Sequence, residues 1–234
     1  PEQMEAVQHT ARAIVDLIEQ GNEVIVVHGN CPQVGMIANA MTELTRSDPQ
    51  KYIPCPLSVC GAMSQGYIGY DLQNAVRAEL VKRGIYKTAS TIITQVMVDP
   101  YDESFYNPIK CVGKLMNAEE ARKEEENGNH VEMISDGVFQ RVVSSPTPKS
   151  IVEIDAIKAL LDADQVVIAC GGCGIPVLRQ GNNLKGAAAV IEKDRTAALL
   201  AKDVDADILL ITTAVDHVSL NYGQADEKAI ETMS

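Results

Sequence analysis

Short apolar runs alternate along this chain with longer segments whose apolar residues recur every three or four positions. The runs at 23–27, 89–98, 165–169 and 207–212 are rich in β-branched and aliphatic residues, as strands buried on both faces of a parallel sheet are. Their alternation with helical segments predicts an α/β fold, a three-layer α/β/α sandwich around a mainly parallel sheet. Helices are predicted at residues 3–20, 33–44, 60–82, 150–161 and 193–203.

The segment 99–148 departs from this alternation. It carries several prolines, glycines at 128 and 137, and a charged stretch at 118–127 that predicts a solvated helix. A stretch of this size between two elements of a sheet predicts a small protruding lid. We therefore expect one domain over residues 1–234, with the lid inserted within it.

Composition and charge narrow the class of protein. The 234 residues carry a net charge of −12, which argues against a nucleic-acid partner because such proteins present a basic face. An anionic small molecule remains compatible, since a few local lysines can hold one. No apolar run approaches the roughly 18–20 residues of a membrane span, so no membrane partner is expected. The six cysteines are scattered and do not form a disulfide framework.

Two of the predicted strands run directly into glycine-rich turns. The first turn is His28-Gly29-Asn30, and the second contains Gly171 and Gly172. A strand, a tight turn and a helix start aim backbone N–H groups at an anion, although an ordinary strand-to-helix turn is an equally good interpretation. The loop 212–216 follows a third predicted strand and is expected at the same edge of the sheet.

Phosphoryl transfer is one chemistry that such an edge supports. It depends on positioning and on neutralising charge, so lysines and a carboxylate that orients them are the expected partners. Lys193 and Asp194 form one such pair at a predicted helix start, and Lys110 lies in the proline-bounded lid. On spacing alone, a plain surface charge is the simpler interpretation of each lysine.

Several common motifs are absent from the sequence. There is neither a GxxxxGK[ST] P-loop nor a GxGxxG turn after a strand. Cys170 and Cys173 form a CxxC, but a zinc site needs further ligands that the neighbouring sequence lacks. A redox CxxC usually stands at the start of a helix, whereas here Pro176 follows, which argues against a redox motif. His28 and His217 are candidates for acid–base groups or for structural hydrogen bonds.

Beyond these patterns, the chain resembles the carbamate kinases, within the amino-acid kinase fold. The resemblance implies reversible phosphoryl transfer between carbamoyl phosphate and ADP, giving ATP and carbamate with Mg²⁺. It also implies a cytoplasmic enzyme of arginine catabolism and a homodimer formed through residues 60–82. The matching stretches are HGNCPQVG (28–35), PLSVCGAMSQGYIGYDLQNA (56–75), TQVMVDPYDESFYNPIK (94–110), RVVSSPTPKSIVEIDAIKALLD (141–162), CGGCGIPV (170–177), AVIEKDRTAALLA (189–201) and ADILLITTAVDHVSLNYG (206–223).

The resemblance also implies roles for individual residues. Those expected at the carbamoyl phosphate are Gly29, Asn30, Gly171 and Gly172. Those expected to act on the transferred phosphoryl group are Lys110, Lys193 and Asp194, with Asp194 orienting the lysine. Those expected along the nucleotide are Thr213, Asp216, Tyr222 and Gly223. No residue is expected to be a dedicated metal ligand.

The sequence also departs from the family pattern. The family begins with a strand and a Gly-Gly-Asn turn and ends with a lysine-bearing segment, so this chain is expected to be incomplete at both ends. Cys31 and Cys173 stand where glycine is usual, and a side chain there is expected to crowd the anion or to force the backbone out of positive φ. Two alternatives stay open: a non-catalytic binding or regulatory relative, and a kinase for another acyl phosphate such as acetylglutamate's, against which residues 60–66 and 107–110 argue.

Overall fold

A computed structural model describes residues 2–232 and shows alternating helices and strands. The helices are α1 (Glu2–Glu19), α2 (Cys31–Ser47), α3 (Leu57–Lys82), α4 (Ala118–Glu126), α5 (Ile154–Asp162) and α6 (Lys193–Asp203). The strands are β1 (Ile25–Val26), β2 (Ala89–Thr91), β3 (Gln95–Val98), β4 (Lys110–Met116), β5 (His130–Ser135), β6 (Val138–Val143), β7 (Pro148–Ile151), β8 (Val166–Ile168), β9 (Ile175–Gln180), β10 (Asn183–Gly186), β11 (Val218–Leu220) and β12 (Lys228–Ile230).

A parallel sheet in the order β1-β8-β2 lies between two layers of helices. Adjacent residues of β8 face opposite sides of it, because successive side chains of a strand alternate. Val166 packs with Val15 of α1 and Leu80 of α3, whereas Val167 packs with Ile157 of α5 and with residues of α6. The layers and the parallel pairing confirm the predicted α/β class.

The apolar run 89–98 does not form the single strand that its composition predicts. β2 pairs with β8, but β3 belongs to a second, mixed sheet in the order β10-β9-β3-β7. The backbone changes partner between the two strands: Ile92 N donates to Ile168 O, and Thr94 O then accepts from Ile175 N. The break arises from tertiary pairing, which the local sequence does not encode.

Residues 110–143 form a separate three-stranded antiparallel sheet in the order β4-β6-β5. The charged helix α4 begins at a capping box, in which the Asn117 side chain accepts from the Glu120 backbone and the Glu120 carboxylate accepts from Asn117 N. This sheet lies within the segment predicted as a lid, and its movement over a substrate stays a prediction.

Two further predicted elements differ from the structure. The helix predicted at 150–161 begins only at Ile154, because residues 148–151 pair with β3 as β7. The strand predicted at 207–212 is absent: Ile208 and Leu210 are 80% and 70% exposed, and within residues 2–232 no backbone hydrogen bond joins the run to a sheet. An apolar run supplies the composition of a buried strand, but a strand also needs a neighbour to pair with.

Candidate active site

The first glycine-rich turn connects β1 to α2. Asn30 directly precedes α2, yet its side chain does not cap the helix. The side chain is buried, and Nδ2 donates to the Ser64 hydroxyl on α3 at 2.7 Å. Gly29 has open space where a side chain would stand. The turn therefore has an accessible backbone at Gly29, next to the Asn30 side-chain amide that Ser64 holds in place.

The second glycine-rich turn follows β8 and contains four residues with positive φ. The φ angles are +51° at Cys170, +59° at Gly172, +81° at Cys173 and +77° at Gly174. The two turns are in direct contact, since Gly172 N donates to His28 O at 2.7 Å. The structure thus brings together the four residues predicted at the carbamoyl phosphate, while their role in binding it stays a prediction.

Cys173 does not distort the turn in the way its sequence position suggested. Its backbone keeps φ at +81°, so the side chain has not forced the residue out of the left-handed region. Two hydrogen bonds hold it there: Cys173 N donates to Cys170 O at 3.1 Å, and Cys173 O accepts from the Thr196 hydroxyl at 2.9 Å. The expected loss of positive φ is therefore wrong for this residue.

Three buried polar residues that sequence reasoning missed hold the turns in place. Gln65 of α3 accepts from Thr94 N at 2.8 Å and donates to Gly171 O at 2.9 Å. The Thr94 hydroxyl accepts from Cys170 N at 2.9 Å, and Ser64 supports Asn30. For two of them the sequence did contain a signal: Ser64 and Gln65 are polar residues on the otherwise apolar buried face of α3.

The predicted catalytic residues lie around the start of α6. Lys193 and Asp194 form its exposed first turn, where the helix dipole favours an anion. Lys110, at the base of the lid, makes an ion pair of 2.5 Å with Glu192, the residue before α6. Thr196 joins this turn to Cys173 in the second glycine-rich turn. The structure therefore connects the lid lysine, the helix start and the glycine-rich turns.

A small cleft opens between these elements. Its walls come from the first glycine-rich turn, the start of α3, the beginning of β9 and the segment before α6. Residues that line it include Asn30, Ser58, Gly61, Gly172 and Val190. Small side chains and backbone thus surround a space beside both turns.

The four residues predicted along the nucleotide are exposed. Thr213, Asp216, Tyr222 and Gly223 lie on a segment whose two strands, β11 and β12, pair with each other. Their hydrogen bonds are local: the Thr213 hydroxyl accepts from Val215 N, and Gly223 N donates to Glu227. The structure does not assemble them into a pocket, and their predicted role stays untested.

The first cysteine of the CxxC at 170–173 does not have the properties of a reactive thiol. Cys170 is buried, and this burial is the main cause that raises its pKa to about 12, so the thiol stays protonated near neutral pH. Among the side chains that the structure describes, no cluster of three or more His, Cys, Asp or Glu is placed to hold a metal ion.

We expect His28 to make the free energy of unfolding depend on pH. Burial lowers its pKa from the ordinary 6.5, and Nε2 lies buried without a hydrogen-bond partner. The unfolded chain therefore binds a proton at a higher pH than the folded chain. The contribution of neutral His28 to the stability of the folded state is therefore fully present above pH 6.5. It is lost as the pH falls toward the lower pKa of the folded state.

We expect His28→Gln to reduce this loss of stability in acid. Urea unfolding at about pH 7.5 and about pH 5.5 measures the difference, because histidine titrates in this range. His9→Gln, on the exposed face of α1, is the matched control and should keep the pH dependence of the unmodified protein. An unchanged pH dependence in His28→Gln would rule out this residue as its source.

Comparison with known proteins identifies the family of the chain. The amino acid kinase family profile matches residues 2–234. The "Carbamate kinase-like protein YqeA" of Escherichia coli strain K12 is 50% identical over 232 residues, which cover 99% of this chain and 74% of the relative. The carbamate kinase of Clostridium perfringens is 48% identical over 233 residues, with the same shares covered.

A solved structure of a carbamate kinase also resembles this chain. The structure of the Giardia lamblia carbamate kinase bound to AMP-PNP superposes with a TM-score of 0.86 at 36% identity, covering 97% of this chain and 72% of that one. The chain therefore belongs to the amino acid kinase family. Within that family it is a carbamate-kinase-like kinase. No helix of the described chain has the length and apolar character needed to cross a membrane.

Proposed function

We propose that this protein catalyses reversible phosphoryl transfer between carbamoyl phosphate and ADP, giving ATP and carbamate. The observation that carries the proposal is the connected site: two glycine-rich turns in contact, joined through Thr196 to the start of α6 and through Glu192 to the lid lysine. The relatives at 48% and 50% identity support the choice of reaction.

Some of the site residues bind the substrate, and others neutralise its charge. Backbone N–H groups around Gly29 and Gly172 hold the carbamoyl phosphate oxygens, with Asn30 as a fixed amide beside them. Lys193 neutralises the charge of the transferred phosphoryl group, and Asp194 orients that lysine. Lys110 moves from Glu192 onto the phosphoryl group when the lid closes over the substrate.

The nucleotide is ADP or ATP in this proposal. The Giardia lamblia relative bound to AMP-PNP supports it, and the predicted contacts are Thr213, Asp216, Tyr222 and Gly223. The described residues fit Mg²⁺ as an ion that arrives with the nucleotide, because they offer single carboxylates such as Asp194 and not a cage of ligands. Mg²⁺ would neutralise phosphate charge there. A cytoplasmic location and a place in arginine catabolism remain predictions from the resemblance.

Comparison of acyl phosphates tests the substrate. ATP formation from ADP should be fast with carbamoyl phosphate and at least about 100-fold slower with acetyl phosphate, because a site that hydrogen-bonds an amino group rejects a substrate lacking it. Equal rates would contradict carbamoyl phosphate as the substrate and would favour the kinase for another acyl phosphate.

We also propose that the protein forms a homodimer through α3. Apolar side chains project from one side of this helix at helical spacing and are 39–67% exposed: Val59, Met63, Tyr67 and Tyr70. Exposed apolar stripes of this kind mark interaction surfaces. The stripe lies within residues 57–82, which include the segment predicted to form the dimer.

Met63→Glu should convert the dimer to a monomer, since a buried unpaired charge in each copy opposes association. Sedimentation velocity measures the change in mass. Leu115→Glu introduces the same charge at an exposed apolar residue of the lid and should leave the dimer intact. A wild-type protein that sediments as a monomer would contradict the proposal.

A further inference from the structure

Two thiols outside the glycine-rich turns lie against each other at the start of α3. Cys60 Sγ donates to Cys55 Sγ across 3.7 Å, and the two are not joined by a disulfide. Cys60 is 1% exposed, whereas Cys55 is half-buried in the irregular segment that precedes the helix. One thiol is therefore accessible to small molecules, and the second is held directly behind it.

We propose that Cys55 and Cys60 form an oxidative modification site, at which a peroxide converts the two thiols to an intramolecular disulfide. A disulfide places its sulfurs at about 2.05 Å, so these two must approach each other by roughly 1.7 Å from their present separation. Residues 52–56 have no regular secondary structure, and this segment supplies the movement while α3 stays in place.

The chemistry proceeds in two balanced steps. The peroxide transfers one oxygen to the Cys55 sulfur, forming a sulfenic acid, and its second oxygen leaves as water. The Cys60 sulfur then attacks the Cys55 sulfur, the S–S bond forms, and the sulfenic oxygen leaves as a second water with the Cys60 proton. Two thiols are oxidised, and one peroxide is reduced to two waters.

The environment of Cys60 sets the pH dependence of the second step. Burial, followed by the neighbouring Cys55, raises the pKa of Cys60 to about 11. Because the thiolate is the nucleophile, ring closure is faster at higher pH. Cys60 also stays protected from direct oxidation, so the accessible Cys55 reacts first.

The disulfide would act next to the candidate active site. The first turns of α3 contribute Leu57, Ser58 and Gly61 to the cleft wall, and Ser64 holds Asn30. An S–S bond would fasten the preceding segment to this part of the helix. The oxidation state of two residues outside the cleft lining would thereby be coupled to the wall of the cleft.

Mass spectrometry tests the proposal without any assay of catalysis. Trypsin releases both cysteines in one peptide, residues 52–77, which contains no other cysteine. After treatment of the folded protein with hydrogen peroxide, then unfolding and alkylation, this peptide should have lost two hydrogens and should carry no alkyl group. Treatment with dithiothreitol should restore both alkylation sites.

Matched variants identify the bond. Cys55→Ser changes a residue outside the helix and should abolish the loss of two hydrogens, leaving Cys60 open to alkylation. Cys111→Ser removes an exposed thiol of the lid and should leave the disulfide unaffected. A wild-type peptide that keeps both thiols, or that only gains oxygen atoms, would overturn the proposal.

Discussion

Lys193→Ala is expected to lower the turnover number for ATP formation by about 10²–10³-fold, the range found when one group that stabilises transition-state charge is removed. Lys193 lies in the exposed first turn of α6, and Thr196 of the same turn binds the second glycine-rich turn. A charge that acts on the transferred phosphoryl group matters most in the transition state. The KM for ADP should therefore change by no more than about twofold.

Lys202 provides the matched control for this prediction. It is an exposed lysine in the last turn of the same helix, so Lys202→Ala removes the same charge far along α6. Its turnover number should stay close to that of the unmodified protein. Equal losses of turnover and of ADP binding in Lys193→Ala would assign the lysine to nucleotide binding.

Gly172→Ala is expected to disable the site through a steric clash between the two turns. A Cβ atom there would lie 2.1 Å from Asn30 Cγ, which is far inside van der Waals contact. The Asn30 side chain must then move and lose its hydrogen bond to Ser64. We expect the backbone N–H groups of both turns to be displaced with it. A displacement of about 1 Å at a reacting centre can cost about 10² in rate, so we expect a loss of at least this size.

Gly181→Ala is a control that distinguishes the effect of this clash from the effect of backbone strain. Gly181 has φ of +61°, nearly the same as the +59° of Gly172, but a Cβ atom there would have nothing within 4 Å. Both variants carry the roughly 1–2 kcal/mol cost of a left-handed L-residue. Gly181→Ala should therefore lower thermal stability slightly and keep its activity. Comparable activity in the two variants would contradict the contact between the turns as a requirement.

Much of the architecture follows from the pattern of the sequence. The helix predicted at 193–203 has those bounds in the structure, and the runs at 23–27 and 165–169 contain two neighbouring parallel strands. The adjacency of the two glycine-rich turns follows from the same pattern, because parallel strands end at one edge of their sheet.

The differences between sequence and structure arise from contacts between distant residues. The positions of the turns depend on hydrogen bonds from Gln65 and Thr94, which lie 106 residues from Gly171 and 76 residues from Cys170 respectively. The division of 89–98 between two sheets depends on which strands pair with each half. Local composition also could not show that 207–212 lacks a neighbouring strand in the described chain. In each case the deciding partner is remote in sequence.

The measurement that tests the proposed reaction most directly combines ADP binding and ATP formation on one sample. Calorimetric titration with ADP and Mg²⁺ first shows whether the folded protein binds the nucleotide. Addition of carbamoyl phosphate to the same sample then shows whether ATP appears. We predict binding followed by ATP formation that Lys193→Ala reduces about 10²–10³-fold. Binding of ADP with no ATP formed by the unmodified protein would contradict the proposed reaction and assign the chain to the non-catalytic alternative.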